Sequence, residues 1–211
     1  MLGLILDTST NHTLLALTQR GQIRSSKSIP HGQNLSQNLL PSIQDILKEN
    51  SLSLRELSKI SIGIGPGSYT GTRIALAVAE SLSIALSIPL YPFCSLLAFL
   101  PPKLPQGSFA FLVHSNHPTS FLLKGYFAEG QVQPSLSQHL LSDLEIPPLL
   151  DGVSNLLSFN SSALPSRFEG IPSKDCTLLE AELNLPMLMP YLVDLEKSPA
   201  EKPKVIYLHN F

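Results

Sequence analysis

The stretch Gly63-Ile64-Gly65-Pro66-Gly67-Ser68-Tyr69-Thr70-Gly71-Thr72-Arg73 decides how this chain is read. It joins a short apolar run, Ile60 to Ile64, to a segment with helical apolar spacing from about Thr72 to Leu86. A strand that passes through a glycine loop into a helix suits two purposes. Glycines let the backbone approach a ligand closely, and the helix start offers free amides and a positive dipole end. The same residues also suit a purely structural strand–helix turn, with Thr70 or Thr72 as the cap. The loop is not a P-loop, because no Gly-Lys-Ser/Thr follows it. Nor is it a dinucleotide fingerprint, because the third glycine falls at the wrong place.

Upstream of this loop the chain is regular. Leu2 to Leu6, Thr13 to Thr18 and Gly21 to Ser28 read as three strands of a meander, with Gly21 at the second turn. A helix is expected at about Gln33 to Glu49, from Leu35, Leu39, Ile43, Ile46 and Leu47. Pro41 lies inside it, removes one backbone donor, and should bend it near Gln37. Leu54 to Leu57 can add one helical turn. Downstream, Pro89 ends the second helix and Leu90 to Phe93 can form another strand. The order β-β-β-α-β-α-β sets helices against a mixed sheet.

The second half differs. Of 18 prolines, 13 follow residue 100, which disfavours long helices there. Phe109 to Val113 and Ser120 to Phe127 read as a strand pair around Asn116-His117-Pro118. Leu178 to Leu195 is a helical candidate interrupted by Pro186 and Pro190, and Val205 to Leu208 a last short strand. The expected division falls near Pro101-Pro102, giving residues 1–100 and a reduced half, 101–211.

Composition narrows the function. Charged residues are 14% of the chain, against about 25% in ordinary globular proteins. That leaves apolar surface for a partner. Formal net charge is −2, with no basic run, so the electrostatic footprint of independent nucleic-acid binding is missing. Cys94 and Cys176 are too few for a disulfide framework, and no CxxC is present. They suit reduced thiols in a cytoplasmic protein. Met1 to Leu6 does not read as a signal peptide. The apolar stretch Ile74 to Phe93 contains Glu80, several serines and Pro89, and reads as a buried helix and strand rather than a membrane span.

A second chemistry-bearing segment is Asp7-Thr8-Ser9-Thr10, at the end of the first strand. A carboxylate followed by hydroxyls at a tight turn can hold a metal-bound phosphate. It can equally close a hairpin as an Asx-turn or ST-turn. The histidines show no metal pattern. His114 and His117 lack the i, i+4 spacing of a helical pair, and His12, His31, His139 and His209 have no evident partner. No G-x-S-x-G elbow is present.

The opening Gly3-Leu4-Ile5-Leu6-Asp7-Thr8-Ser9-Thr10, the stretch Leu39-Leu40-Pro41-Ser42-Ile43 and the loop Gly65 to Ile74 occur in order at fitting separations. Together they resemble the TsaB (YeaZ) family of the actin-like ATPase-fold superfamily. The resemblance is strong over residues 1–100. The ending Pro203 to Asn210, with Tyr207-Leu208, resembles the family's terminal strand, with His209 in place of an arginine. It implies an α/β, actin-like ATPase (ribonuclease H-like) fold, two halves each with a mixed sheet flanked by helices.

The resemblance further implies a non-catalytic subunit of the machinery that puts threonylcarbamoyl on N6 of adenosine 37 in tRNAs decoding ANN codons. Its partners would be the catalytic subunit TsaD and the ATPase TsaE, with tRNA met only through the complex. A homodimer would form when TsaD is absent. Asp7, Thr8, Ser9, Gly65, Gly67 and Arg73 would lie near ATP or ADP at a subunit interface. The chain departs from the family in two places. An Asp-Ala-Arg segment is replaced by His114-Ser115-Asn116-His117, and a later glycine-rich loop shrinks to Asp151-Gly152-Val153. Both argue against nucleotide binding by this chain alone. TsaD carries a His-x-x-x-His metal motif after the strand matching Leu90 to Phe93; here the sequence reads Cys94-Ser95-Leu96-Leu97-Ala98-Phe99.

The expected interface follows from the second helix, which has no polar face. Ile74, Ala77, Val78, Ala85 and Ile88 fall to one side, and Leu76, Ala79, Leu82 and Leu86 fill much of the rest. One side can pack on the sheet while the other needs cover. Small residues there allow a close helix approach. Leu35, Leu39 and Ile43 of the first helix, with Ala77, Ala79 and Ser83 of the second, are the expected contacts in a four-helix bundle with a partner. The second half of the same chain could instead cover them. Two other functions remain open: a free-standing phosphotransferase or ATPase of this fold, and a homodimeric module with another partner.

Overall fold

The computed structural model describes residues 1–30, 34–114, 119–133, 137–164, 168 and 176–197. The expected strand Val205 to Leu208, with His31, His117, His209 and the departure at Ser115 to His117, lies outside them. Among the described residues the chain forms two compact units, one built on Met1–Ser95 with residues 192–197, the other on Leu96–Tyr191.

The first unit holds β1 (Leu2–Asp7), β2 (His12–Gln19), β3 (Gln22–Pro30), β4 (Leu57–Gly63) and β5 (Leu90–Phe93), in the order β3-β2-β1-β4-β5. The first three are an antiparallel meander, and β4 and β5 run parallel to β1. Between β2 and β3 the chain turns on Arg20 and Gly21, both at positive φ. That is the two-residue turn whose twist suits a hairpin. β1 is buried along its whole length, as the centre of a sheet must be.

Two helices make the parallel crossovers. α1 (Leu35–Glu49) joins β3 to β4, and α2 (Tyr69–Leu86) joins β4 to β5. α1 buries Leu39, Ile43, Ile46 and Leu47 at i, i+4, i+7 and i+8, one stripe of a 3.6-residue helix. Pro41 sits on its exposed side. These four pack with Leu4, Leu6, Leu15, Leu17, Ile60 and Ile62 of the sheet and with Ala75 and Ala79 of α2. Arg24 donates to the Asn50 carbonyl, and Lys27 pairs with Glu49, so the edge strand β3 is also tied to the end of α1.

The second unit repeats this plan with smaller parts. β6 (Gly107–His114) and β7 (Thr119–Ala128) are antiparallel, as the sequence suggested. β8 (Gln131–Val132) and β9 (Ser137–Ser142) both pair with β7, and β10 (Asn155–Ser158) and β11 (Thr177–Glu180) run parallel to β6. Setting aside the two-residue β8, the order β9-β7-β6-β10-β11 matches that of the first sheet. Where α1 has 15 residues, the corresponding connection has only a 3₁₀ turn and the four-residue α3 (Ile146–Leu149). Among the described residues, this connection is therefore much shorter in the second unit than in the first.

The helical candidate Leu178 to Leu195 needs correction. Its first residues are strand β11, where Leu178 and Leu179 lie beside Leu156 and Leu157 of β10. The helix, α4, spans Leu185–Leu195 and takes Pro186 into its first turn, where no backbone donor is needed. Past α4, Glu196 pairs with Lys59 of β4. Among the described residues, no helix is long and apolar enough to cross a membrane.

Candidate functional site

The two chemistry-bearing segments of the sequence meet in the first unit. β1 ends at Asp7, whose Oδ1 accepts from the Ser9 amide at 2.7 Å. This is an Asx-turn, the structural alternative raised for this segment. Asp7, Thr8 and Ser9 are all buried. The turn sits directly on the glycine loop. The Ser68 amide donates to the Ser9 carbonyl at 2.6 Å, and the Thr8 hydroxyl donates to the Gly71 carbonyl at 2.7 Å.

This contact accounts for the glycines. A Cβ on Gly67 would overlap the Ser9 carbonyl, and one on Gly71 would overlap that of Thr8. Gly63 likewise faces the Asp7 carboxylate, with the Ser95 hydroxyl close by. Gly65 is bound from the other side: its amide donates to Ser95 Oγ at 2.9 Å, and its carbonyl accepts from the Ser95 amide at 2.8 Å. The close backbone approach that the sequence suggested is real, and the group approached is the chain's own β1 turn. Nothing in the sequence marked Ser95 as part of this assembly, because a serine 30 positions from its partner Gly65 carries no local signal.

α2 begins at Tyr69 rather than at Thr72, and its cap is Ser68, whose hydroxyl accepts from the Gly71 amide at 3.1 Å. Neither Thr70 nor Thr72 caps it; the Thr72 hydroxyl turns back to the Ser68 carbonyl at 2.8 Å. Arg73 is exposed, bonded to the Tyr69 hydroxyl, with its guanidinium 5.0 Å from the Tyr69 ring centre.

The geometry gives little room to a phosphate between these segments. The sides of Gly67 and Gly71 that a ligand would use are taken by Ser9 and Thr8. The Ser9 hydroxyl is buried without a hydrogen-bond partner, but one hydroxyl is not a cradle. On this side the loop packs on the β1 turn rather than opening to a ligand. Among the described residues, no group of three or more His, Cys, Asp or Glu side chains could hold a metal ion.

The expected interface residues separate into two sets. Leu39, Ile43 and Ala79 are at most 1% exposed in the unit's own core. This corrects their assignment, since a side chain already packed on its own sheet cannot also meet a partner. Ala77 is exposed, and Leu35 and Ser83 are half-buried. The outward stripe of α2 runs through Arg73, Ala77, Glu80, Ser81, Ile84 and Ala85, with Ile84 79% exposed. Leu40 of α1 is exposed as well, at 39%. Ile84 and Leu40 were not among the expected contacts. Continuing the spacing from Ala77 to Ser81 and Ile84 would have found the first.

Similarity to known proteins agrees with this architecture. A family model described as "TsaD: tRNA N6-adenosine threonylcarbamoyltransferase" matches residues 30–117. The "tRNA threonylcarbamoyladenosine biosynthesis protein TsaB" of Haemophilus influenzae is 33% identical over 95 residues, 45% of this chain and 40% of that protein. Its namesake from Escherichia coli is 31% identical over 94 residues, 44% of this chain and 40% of that one. These matches span less than half the length of the curated relatives. The fold extends further: "YeaZ from Pseudomonas aeruginosa" superposes with a TM-score of 0.75 over 94% of this chain and 95% of that one, at 22% identity. In sequence the chain is similar to TsaB proteins over its first half, and over nearly its whole length it shares the fold of YeaZ.

Proposed function

We propose that this chain is the non-catalytic partner subunit that binds and stabilises TsaD for threonylcarbamoyl transfer to N6 of adenosine 37 in ANN-decoding tRNAs. The observation that carries the reading is the outward face of α2. This 18-residue helix packs Ala75, Ala79 and its larger apolar residues Ile74, Leu76, Val78, Leu82 and Leu86 against the core and turns Arg73, Ala77, Glu80, Ser81, Ile84 and Ala85 outward. A stripe of small residues around a protruding isoleucine, flanked by Arg73 and Glu80, suits a second helix pair laid against it.

In this reading TsaE joins the complex through TsaD, and a second copy of this chain takes the docking face when TsaD is absent. The tRNA is held by the other subunits, because this chain has net charge −2 and no basic stripe. The glycine loop, filled by Thr8 and Ser9, leaves any ATP or ADP of the complex to the other subunits as well. The protein works in the cytoplasm, where the tRNA is.

Pull-down with tagged TsaD tests this. The parent chain is expected to be retained. Ile84→Glu, a charge placed in the centre of the face, should remove retention while circular dichroism stays that of the parent. Retention of Ile84→Glu at the parental level would refute the docking face.

A further inference from the structure

The outward stripe of α2 carries two opposite charges and two large apolar side chains in a symmetric arrangement. Arg73 and Glu80 are exposed, and so are Tyr69 and Ile84, at 40% and 79%. At roughly 100° per residue, Tyr69, Arg73, Ala77, Glu80 and Ile84 fall within about 80° of the helix circumference. Along the chain, the midpoint of Arg73 and Glu80 lies between Leu76 and Ala77, and the midpoint of Tyr69 and Ile84 is the same. The outward residue at that point is Ala77, the smallest of the five.

The helix gives neither charge a counter-ion. Neighbours on a helix surface stand three and four residues apart. For Arg73 these are Tyr69, Thr70, Leu76 and Ala77, and for Glu80 they are Leu76, Ala77, Ser83 and Ile84. The two charges are seven residues apart, about 10.5 Å along the axis, too far to pair with each other on one helix. Among the described residues, no ion pair is formed by Arg73 or by Glu80. Arg73 is instead held against the exposed Tyr69, through the hydroxyl and over the ring.

We propose that this stripe is self-complementary: two copies of the chain pair through antiparallel α2 helices, with the two-fold axis at Ala77. Arg73 of each copy then meets Glu80 of the other, and Ile84 of each meets the Tyr69 ring of the other. A two-fold interface has this form, in which one residue meets a second and the second meets the first. Ala77 at the axis lets the helices approach closely. A parallel pairing would set Arg73 against Arg73 and Glu80 against Glu80, so charge selects the antiparallel one. One helix from each copy is a small contact, and the dimer is accordingly weak and dependent on concentration. The proposal rests on the reading of this outward face as a docking surface, and it fixes which residues a second copy engages there.

Sedimentation velocity of the full-length chain over a concentration series reads the dimer constant. The parent should pass from monomer to dimer as concentration rises. Symmetry repeats every change, so Arg73→Glu or Glu80→Arg alone puts two like-charge pairs into the interface. Each should weaken the dimer at least about tenfold. The double variant, Arg73→Glu with Glu80→Arg, restores opposite charges and should return the constant to within about threefold of the parent. Both positions are exposed, so circular dichroism should stay parental throughout. A parent that remains monomeric, single variants that dimerise like the parent, or a double variant no better than the single ones would overturn the self-pairing. Docking of TsaD is read separately, from the retention of Ile84→Glu. Lost retention beside any of those three results overturns the self-pairing alone. Parental retention beside a restored double variant overturns the TsaD reading alone.

Discussion

At the scale of single residues, the account depends on glycines used for packing. Gly67 and Gly71 each face a backbone carbonyl of the β1 turn, and backbone cannot swing aside as a long side chain can. Gly67→Ala should therefore lower stability by about 1–3 kcal/mol, the usual cost of overpacking. Chemical denaturation would show it as a lower midpoint with an unchanged slope; an unchanged midpoint would mean the turn is looser than described. The sequence made the loop visible but could not say what approached the glycines. Glycine permits close contact without naming the group that makes it. The same holds for Asp7: carboxylate followed by hydroxyls reads alike for a bound phosphate and for an Asx-turn, and only the Ser9 amide at Oδ1 separates them.

Elements were legible where periodicity was long and undisturbed. The stripe Leu39, Ile43, Ile46, Leu47 announced α1, and the core confirms its inward face. The inward face of α2 was harder, because a helix apolar on all sides gives no phase; this is why Ala79 was assigned outward and lies at 0% exposure. Short strands such as β10, with four residues between turns, carry too little pattern to separate them from loops. A direct consequence is a contrast within α2. Ala77→Glu should fold, since that position is exposed. Ala79→Glu buries an unpaired charge, should cost on the order of 3–5 kcal/mol, and should lose cooperative thermal unfolding. Equal behaviour of the two in thermal melts would contradict the assigned faces. The second unit offers a pH test. The Ser142 hydroxyl and amide donate to Glu145, and these bonds hold its carboxyl below the ordinary glutamate range. A depressed folded-state pKa stabilises above the unfolded value and is lost as pH falls through the folded one. Glu145→Gln should therefore flatten the acid limb of the stability profile from about pH 4.3 downward, and an unaltered limb would show that the Ser142–Glu145 bonds contribute nothing.

For the whole molecule, the two sheets share one strand order, while the crossover into the fourth strand is a 15-residue helix in the first unit and a four-residue one in the second. The half with the long helices also carries the outward apolar stripe. A chain with 14% charged residues and net charge −2 is poorly suited to hold tRNA; alone it should bind at roughly 10⁻⁴ M or more weakly at physiological salt. A submicromolar gel shift by the isolated chain would contradict this. The most direct measurement is threonylcarbamoyl transfer to tRNA by a reconstituted mixture of TsaD, TsaE, ATP and the threonylcarbamoyl donor. The account predicts no transfer when this chain replaces TsaD, and transfer that rises with added chain until the two subunits are equimolar. Transfer by this chain without TsaD, or TsaD activity indifferent to its presence, would contradict it.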